Sequence, residues 1–144
     1  IVAPPSACSD LLKLAQNFFI CAPSISQHAA LAAFSDETQA IIEDQADTLR
    51  ERKEFLVKAL RGLGFRIDAP PRGAYYVYAE LPKNSIRSEE FCHRLLEEEF
   101  VAVTPGTDFG TNRSDDFVRF SFTQKLSTLS LAVERIARFL RDLN

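Results

Sequence analysis

Arg119 is the side chain in this sequence whose surroundings first raise a chemical question. A strand at this point would place Val118, Phe120 and Phe122 on one face and Arg119 with Ser121 on the other, because successive side chains alternate. A guanidinium in so apolar a setting needs a partner, and its planar fork suits a carboxylate held by two parallel hydrogen bonds. The pattern alone leaves two interpretations open: a surface arginine on a half-exposed strand, or a carboxylate-binding arginine.

A loop punctuated by glycines precedes this strand. Pro105-Gly106 and Phe109-Gly110 lie in it, and ordinary turn chemistry is enough to explain them. Asp108 with the two residues that follow it imitates the D-F-G of protein kinases. The glycine-rich loop, the strand lysine and the H-R-D segment of kinases are missing from the sequence, so we do not predict a kinase.

Metal and nucleotide sites have weak or no support in the sequence. Cys92, His93 and His28 could bind zinc on paper, but neighbouring residues on a helix point in different directions, so we predict no metal site. The dinucleotide-binding G-x-G-x-x-G, the P-loop and the H-E-x-x-H pattern are absent from the sequence, and no Ser-His-Asp constellation stands out.

Length and composition narrow the class of protein. The 144 residues, 46% of them hydrophobic, suffice for one compact core. A net charge of −3 offers no basic stripe for nucleic acid, and no apolar run approaches the roughly 20 residues of a membrane span. Three cysteines without a C-x-x-C pair favour a reduced, cytoplasmic setting. The opening at Ile1, with no Met in the sequence, leads us to expect an excised fragment.

Hydrophobic periodicity and capping signals predict five helices and four short strands. Ser24, with Gln27 three residues on, has the spacing of a capping box, and Asp36 is the predicted cap of the longest helix. The predicted helices span 10–18, a segment from Ser24 through the closely packed and buried run 29–34, 36–61, a segment that Ser88 caps, and 127–143. The predicted strands span 65–67, 75–79, 100–103 and 117–122.

These elements predict an α/β fold with a small mixed sheet, because its strands are joined by both a hairpin and helical crossovers. We expect one face of that sheet to pack against apolar helix stripes. The stripe positions are Ile42, Ala46, Leu49, Leu56 and Leu60 in the longest helix, Phe91, Leu95 and Leu96 in the next, and Leu129, Val133, Ile136, Leu140 and Leu143 in the last.

Four segments together resemble one enzyme family, the pyridoxal-phosphate-dependent aminotransferases related to aspartate aminotransferase. Residues 20–31 are similar to the stretch that follows the cofactor lysine of that family. Residues 71–76, P-R-G-A-Y-Y, resemble its "P-x-G-A-F-Y" strand entry. Residues 101–110, V-A-V-T-P-G-T-D-F-G, resemble "V-A-V-x-P-G-x-x-F-G", and residues 117–122 resemble "V-R-x-S-F". The four occur in the family's order over nearly the whole chain.

The resemblance implies the small C-terminal domain of a fold type I enzyme. Residues 35–144 would form that domain, and residues 1–34 would be a remnant of the large-domain edge and its linker helices. Arg119 matches the arginine that grips the substrate α-carboxylate. Ser24 lies in the loop that approaches the cofactor phosphate of the neighbouring subunit of a homodimer, although it could equally be a helix N-cap.

The resemblance also implies a reaction, in which an amino group moves between an amino acid and a 2-oxo acid. The lysine that holds pyridoxal phosphate in the family stands in an upstream motif, and none of the five lysines here has that context. The chain by itself is therefore expected to be inactive. A β-lyase or decarboxylase on the same fold, and a non-catalytic binding or dimerisation module, are the alternatives that the sequence leaves open.

Overall fold

The computed structural model describes residues 1–83 and 85–143, which form two compact units, Ile1–Asp44 and Gln45–Asn144. The predicted division into a large-domain remnant, 1–34, and a small domain, 35–144, concerns the architecture of a longer enzyme. It stays a prediction.

The first unit contains helix α1, Pro5–Phe18, helix α2, Ser24–Ala32, and the first residues of a longer helix. Proline at the first position of α1 suits a helix start, because its missing N–H has no intrahelical acceptor there. None of the described side chains in this unit is buried. The expectation of a buried helix over 29–34 was therefore wrong: Leu31 is 71% exposed and Phe34 81%. Periodicity marks an apolar face but cannot supply its partner.

Both capping predictions in this region need correction. Pro23 occupies the N-cap position of α2, and no side chain caps that helix; Gln27 instead donates to the Ala22 carbonyl at 2.8 Å. Helix α3 spans Asp36–Gly62, and its cap is Ser35, whose Oγ accepts from the Thr38 N–H at 3.2 Å. Asp36 is thus the first helical residue, where its charge complements the helix dipole.

The second unit is built on a three-stranded sheet in the order β1-β3-β2. Strand β1 is Tyr76–Glu80, β2 is Thr104–Pro105 and β3 is Phe117–Ser121. Both pairings are antiparallel, so the α/β class is confirmed but the prediction of a mixed sheet was wrong.

The sheet is not mixed because β3 lies between β1 and β2, so the strands joined by a helical crossover are not neighbours. Two of the predicted strands are also missing from it. Residues 65–67 make only an isolated antiparallel bridge, Arg66 to Glu80, and residues 100–103 form no strand. Phe65 and Ile67 are buried in the core. Packing, rather than a continuous ladder of backbone hydrogen bonds, therefore accounts for the apolar character of this segment.

Helices α4, Ser88–Glu99, and α5, Leu126–Asp142, cover the inner face of the sheet together with the C-terminal part of α3. The predicted alternation in β3 is confirmed, since Val118, Phe120 and Phe122 are buried. Leu96 was wrongly assigned to the core and is 45% exposed. The largest fully buried side chains are Phe91, Phe122, Phe139, Leu60, Leu95, Ile136, Val77 and Val118.

An ion pair joins the ends of α4 and α5. The Arg138 guanidinium donates to both Glu99 carboxylate oxygens, from Nε at 2.7 Å and from Nη2 at 2.5 Å, and Arg135 donates to the Glu99 carbonyl at 2.9 Å. The side chain of Glu99 is only 8% exposed. The hydrogen bond from Arg138 lowers the pKa of Glu99 below its ordinary value.

We expect Val118→Asp to destabilise the fold by several kcal/mol, because it places an unpaired charge at a position with no solvent exposure. Ser121→Asp, on the exposed face of the same strand, is the matched control and should change stability little. Urea unfolding followed by circular dichroism measures both. A Val118→Asp variant as stable as wild type would show that the faces of the sheet are assigned the wrong way round.

Glu99→Gln tests the α4–α5 ion pair through pH. A carboxyl with a lowered folded-state pKa stabilises the fold above its unfolded pKa, and that contribution is lost as the pH falls through the folded pKa. The stability difference between wild type and Glu99→Gln should therefore shrink between about pH 7 and about pH 3. Urea unfolding across this range measures it, with the exposed neighbour Glu97→Gln as control. A constant difference would contradict the ion-pair contribution.

Candidate functional site

The outer face of the sheet carries Arg119 among aromatic and hydroxyl side chains. Tyr78 on β1 and Thr104 on β2 are its cross-strand partners in the two pairings. Because side chains directly opposite each other in an antiparallel pair share a face, all three lie on the side of the sheet away from the core. Tyr76 lies on that face too, since it is two residues from Tyr78 on the same strand.

The guanidinium of Arg119 is half-buried and contacts three side chains. Its Nη2 donates to Thr104 Oγ1 at 3.3 Å. Its central carbon lies 4.8 Å from the ring centroid of Tyr76 and 4.4 Å from that of Phe109, within the range of cation–π attraction. Within the described chain, Arg119 forms no ion pair with a carboxylate. The cation is held, but its charge is not neutralised by those residues.

The segment between β2 and β3 brings Phe109 to this face. It folds into two short 3-10 helices, Gly106–Phe109 and Ser114–Asp116. Gly106 is buried so closely that a Cβ there would lie 2.7 Å from the Tyr78 hydroxyl and 2.8 Å from the Phe117 carbonyl oxygen. Gly110 has φ +151°, a backbone conformation that residues with a side chain rarely adopt. Both glycines are therefore required by the path of this loop.

Contacts from the rest of the unit fix the far end of the loop. The Ser88 hydroxyl donates to the Ser114 carbonyl at 3.2 Å, so this serine ties α4 to the loop instead of capping its helix as predicted. Arg113 donates to Glu80 at 2.5 Å and to Asp116 at 3.2 Å. The Tyr78 ring stacks on Phe117 and meets Phe109 edge-on, with centroids 5.0 and 6.2 Å apart. Loop and sheet thus form one continuous wall.

The outer face of the sheet and the loop between β2 and β3 border an open cleft of about 530 Å³, which we call the Arg119 cleft. Among the described residues that line it, Arg119 alone carries a charge. Burial raises the pKa of the Tyr78 hydroxyl, which therefore stays protonated and can donate a hydrogen bond. The lining consists of Tyr76, Tyr78, Phe109, Gly110, Thr111, Asn112, Ser114 and Arg119. A single cation in an apolar, hydroxyl-bearing cleft is suited to an anion carrying one carboxylate.

The other residues singled out from the sequence lie elsewhere. Ser24 is the exposed first residue of α2, in the first unit, and its proposed contact with a cofactor stays a prediction. Cys92 is buried, and burial together with nearby Asp108 and Glu89 raises its pKa to about 12. Its thiol is therefore protonated, which disfavours metal binding. In the part of the chain that the structure describes, no three potential metal ligands cluster.

Sequence reasoning found Arg119 but missed the side chains that hold it. Thr104 is paired with it through the strand register, Tyr76 lies on β1 two residues from its partner Tyr78, and Phe109 is brought to it by the loop. A signal was present, since Tyr76 and Tyr78 alternate with the buried Val77 and must share a face. The register that sets Arg119 opposite them is not visible in local sequence.

Comparison with known proteins assigns the chain to a family. The family model "Aminotransferase class I and II" matches residues 1–136. The chain belongs to this family. It is 38% identical over 140 residues to the (5-formylfuran-3-yl)methyl phosphate transaminase of Methanocaldococcus jannaschii, covering 97% of this chain and 36% of that protein. It is 38% identical over 127 residues to the valine–pyruvate aminotransferase of Mycobacterium tuberculosis, covering 88% and 33%.

Structural comparison agrees with the sequence comparison. A crystal structure of an aminotransferase from Mycobacterium tuberculosis superposes with a TM-score of 0.90 and 35% identity, over 97% of this chain and 36% of that one. The chain thus spans about a third of the length of the proteins it matches, so most of each relative lies outside the matched region. In the described residues, no helix is both long enough and apolar enough to cross a membrane.

We expect Gly106→Ala to destabilise the fold by about 1–3 kcal/mol, because its new methyl group would clash with two backbone carbonyls and the Tyr78 hydroxyl. Gly73→Ala is the matched control, since no atom lies within 4 Å of a Cβ there, and it should unfold at nearly the wild-type denaturant concentration. Chemical denaturation compares the two. A Gly106 variant as stable as the control would contradict the close packing of the loop on the sheet.

Proposed function

We propose that this chain contributes the substrate-carboxylate site of a pyridoxal-phosphate-dependent aminotransferase, with Arg119 binding the α-carboxylate of an amino acid or a 2-oxo acid. The observation that carries the proposal is a guanidinium held at an open cleft without an ion-pair partner among the described residues. The family and the relatives named above support the reaction class, because both curated relatives are named as transaminases or aminotransferases.

Arg119 is chemically suited to this role. A guanidinium presents five N–H donors in a planar fork, and only the bond to Thr104 uses one of them within the described residues. A carboxylate can therefore accept two parallel hydrogen bonds from the same cation, which fixes both its position and its plane. The aromatic lining lowers the local dielectric constant and strengthens this charge-assisted pair.

Pyridoxal phosphate, when bound, supplies the electron sink for chemistry at the substrate α-carbon. The described lining of the Arg119 cleft contains no lysine that could anchor it covalently, and the five lysines of the sequence lie at other positions. The residues of this cleft therefore fit the substrate carboxylate but not the cofactor. We assign them no part in the chemistry that the cofactor carries out. The anchor would be supplied by another part of the enzyme.

The proposal extends to assembly and location. It includes a homodimer in which Ser24 lies near the cofactor phosphate of the neighbouring subunit; Ser24 is exposed at the start of α2 and caps no helix. Exposed apolar side chains of the first unit, such as Phe18, Phe19 and Ile25, support a role in an interface. A cytoplasmic location is supported by the three free cysteines.

The test is Arg119→Lys in a complete aminotransferase that carries this segment. The α-carboxylate is common to all amino-acid substrates, so kcat/KM should fall for each of them, whatever its side chain. Lysine keeps the charge but loses the two-bond fork, and each charge-assisted bond is worth roughly 1.5–3 kcal/mol. We therefore expect a loss of at least about tenfold for two chemically unlike amino acids, measured by steady-state kinetics.

Two controls accompany this test. Arg141→Lys changes an exposed arginine at the end of α5 and should leave kcat/KM unchanged. Urea unfolding of Arg119→Lys should match wild type, since the side chain borders an open cleft. Unchanged kcat/KM for both amino acids in Arg119→Lys would contradict the proposal and return Arg119 to the role of a surface residue. Product analysis in the same assays separates transamination from lyase or decarboxylase chemistry.

A further inference from the structure

Three arginines of the second unit are held in two different ways. Arg138 is paired with Glu99, and Arg113 with Glu80 and Asp116. Arg119 has no such carboxylate partner in the described chain, and two aromatic rings lie against it instead, at 4.8 and 4.4 Å. Arg113 also lies 5.7 Å from the ring centroid of Phe117. Of these three side chains, Arg119 is thus the one held by rings without a carboxylate among the described residues.

This choice of partner has a chemical consequence. A carboxylate neighbour would occupy the N–H donors of Arg119 and would have to be displaced by any incoming acid. A ring attracts the cation through its negative π-face and uses no N–H donor. Ring contacts therefore restrain the guanidinium before a ligand arrives and leave its hydrogen-bonding fork available.

The two rings come from separate elements that the fold brings together. Tyr76 begins β1, and Phe109 ends the 3-10 helix that begins at Gly106. Phe109 is itself in edge-on contact with Tyr78, 6.2 Å between centroids, and Tyr78 stacks on Phe117. Phe109 is therefore braced from the sheet and can act as a fixed support.

We propose that Tyr76 and Phe109 are positioning residues, whose rings hold the guanidinium of Arg119 in the orientation that receives a carboxylate. The role rests on the proposed function of Arg119 as the carboxylate-binding group, and it adds residues that act through that arginine. Loss of a ring frees the arginine side chain, so a carboxylate must then immobilise it on binding, at a cost in affinity.

The first measurement uses the 144-residue chain without ligand. The Nε–Hε resonance of Arg119, identified by its loss in Arg119→Lys, should be displaced by the ring currents of its neighbours. Tyr76→Leu and Phe109→Leu should each move it toward the position of a free arginine, whereas Tyr76→Phe, which keeps the ring, should leave it near wild type. A wild-type resonance already at the free-arginine position would overturn the proposal before any ring variant is measured.

The second measurement is kinetic, in a complete aminotransferase carrying this segment. Tyr76→Leu and Phe109→Leu should each raise KM for amino acids by at least about threefold with kcat nearly retained, because the arginine binds ground state and transition state alike. Tyr76→Phe should restore the wild-type KM. A fall in kcat at unchanged KM, or no rescue by Tyr76→Phe, would overturn the positioning role.

Failure of this inference is distinguishable from failure of the proposed function. If Arg119→Lys leaves kcat/KM unchanged while the resonance responds to the rings as expected, the proposed function is wrong, and with it the catalytic purpose of the positioning. If Arg119→Lys lowers kcat/KM but the leucine variants change neither the resonance nor KM, the arginine binds substrate without help from the rings, and this inference alone is wrong.

Discussion

Strand β3 imposes the constraint on which the second unit depends, because it is central in the sheet and its side chains alternate between two environments. Val118 and Phe120 are buried against the helices, while Arg119, between them in sequence, lies on the opposite face. A shift of register by one residue would exchange the two faces and place a guanidinium in the core. Core packing therefore fixes the direction of Arg119 without any contact to the arginine itself.

The loop between β2 and β3 depends on the same strand for its position. Gly106 sits where backbone and the Tyr78 hydroxyl leave no room for a side chain, and Gly110 continues the chain through a conformation that glycine tolerates. The close approach of Gly106 lets Phe109 reach the sheet and form one wall of the Arg119 cleft. Ion pairs from Arg113 to Glu80 and Asp116 hold the far end of the loop. The close packing of Gly106 thus fixes the start of the loop that borders the cleft, and the ion pairs of Arg113 fix its end.

The two units differ in what their apolar residues do. In Gln45–Asn144 they close a core around Phe65, Phe91, Phe120 and Phe139, whose rings meet edge-on at centroid distances of 5.3 to 6.1 Å. In Ile1–Asp44 the helices form, but none of their apolar side chains is buried. Local sequence is enough to specify a helix, whereas a buried face also requires a surface to pack against. The second unit has its own core, and the described part of the first has none.

Much of the architecture follows from local sequence. The helices, the strand at β3 with its buried face, and Arg119 as the residue of chemical interest can be found from periodicity, alternation and residue type. Each of these signals involves only a few neighbouring residues, so a short segment of sequence is enough to detect it. The four segments that resemble the aminotransferases predicted the family, and comparison with known proteins confirmed that prediction.

Only the tertiary structure decided the sheet pairing, the helix caps and the surroundings of Arg119. The segment 65–67 has the composition of a strand but uses its apolar residues in the core. The sheet is antiparallel, not mixed, because β3 lies between β1 and β2, so the two strands that a helical crossover joins do not pair with each other. Ser88 resembles a cap in sequence but bonds a carbonyl in the loop. Tyr76, Thr104 and Phe109 lie 43, 15 and 10 residues from Arg119 along the chain, and strand register and a folded loop bring them to it. The sequence by itself indicated Arg119 as a candidate; the side chains that hold it in place were decided by long-range packing, because contacts between distant segments leave no periodic signal in any one of them.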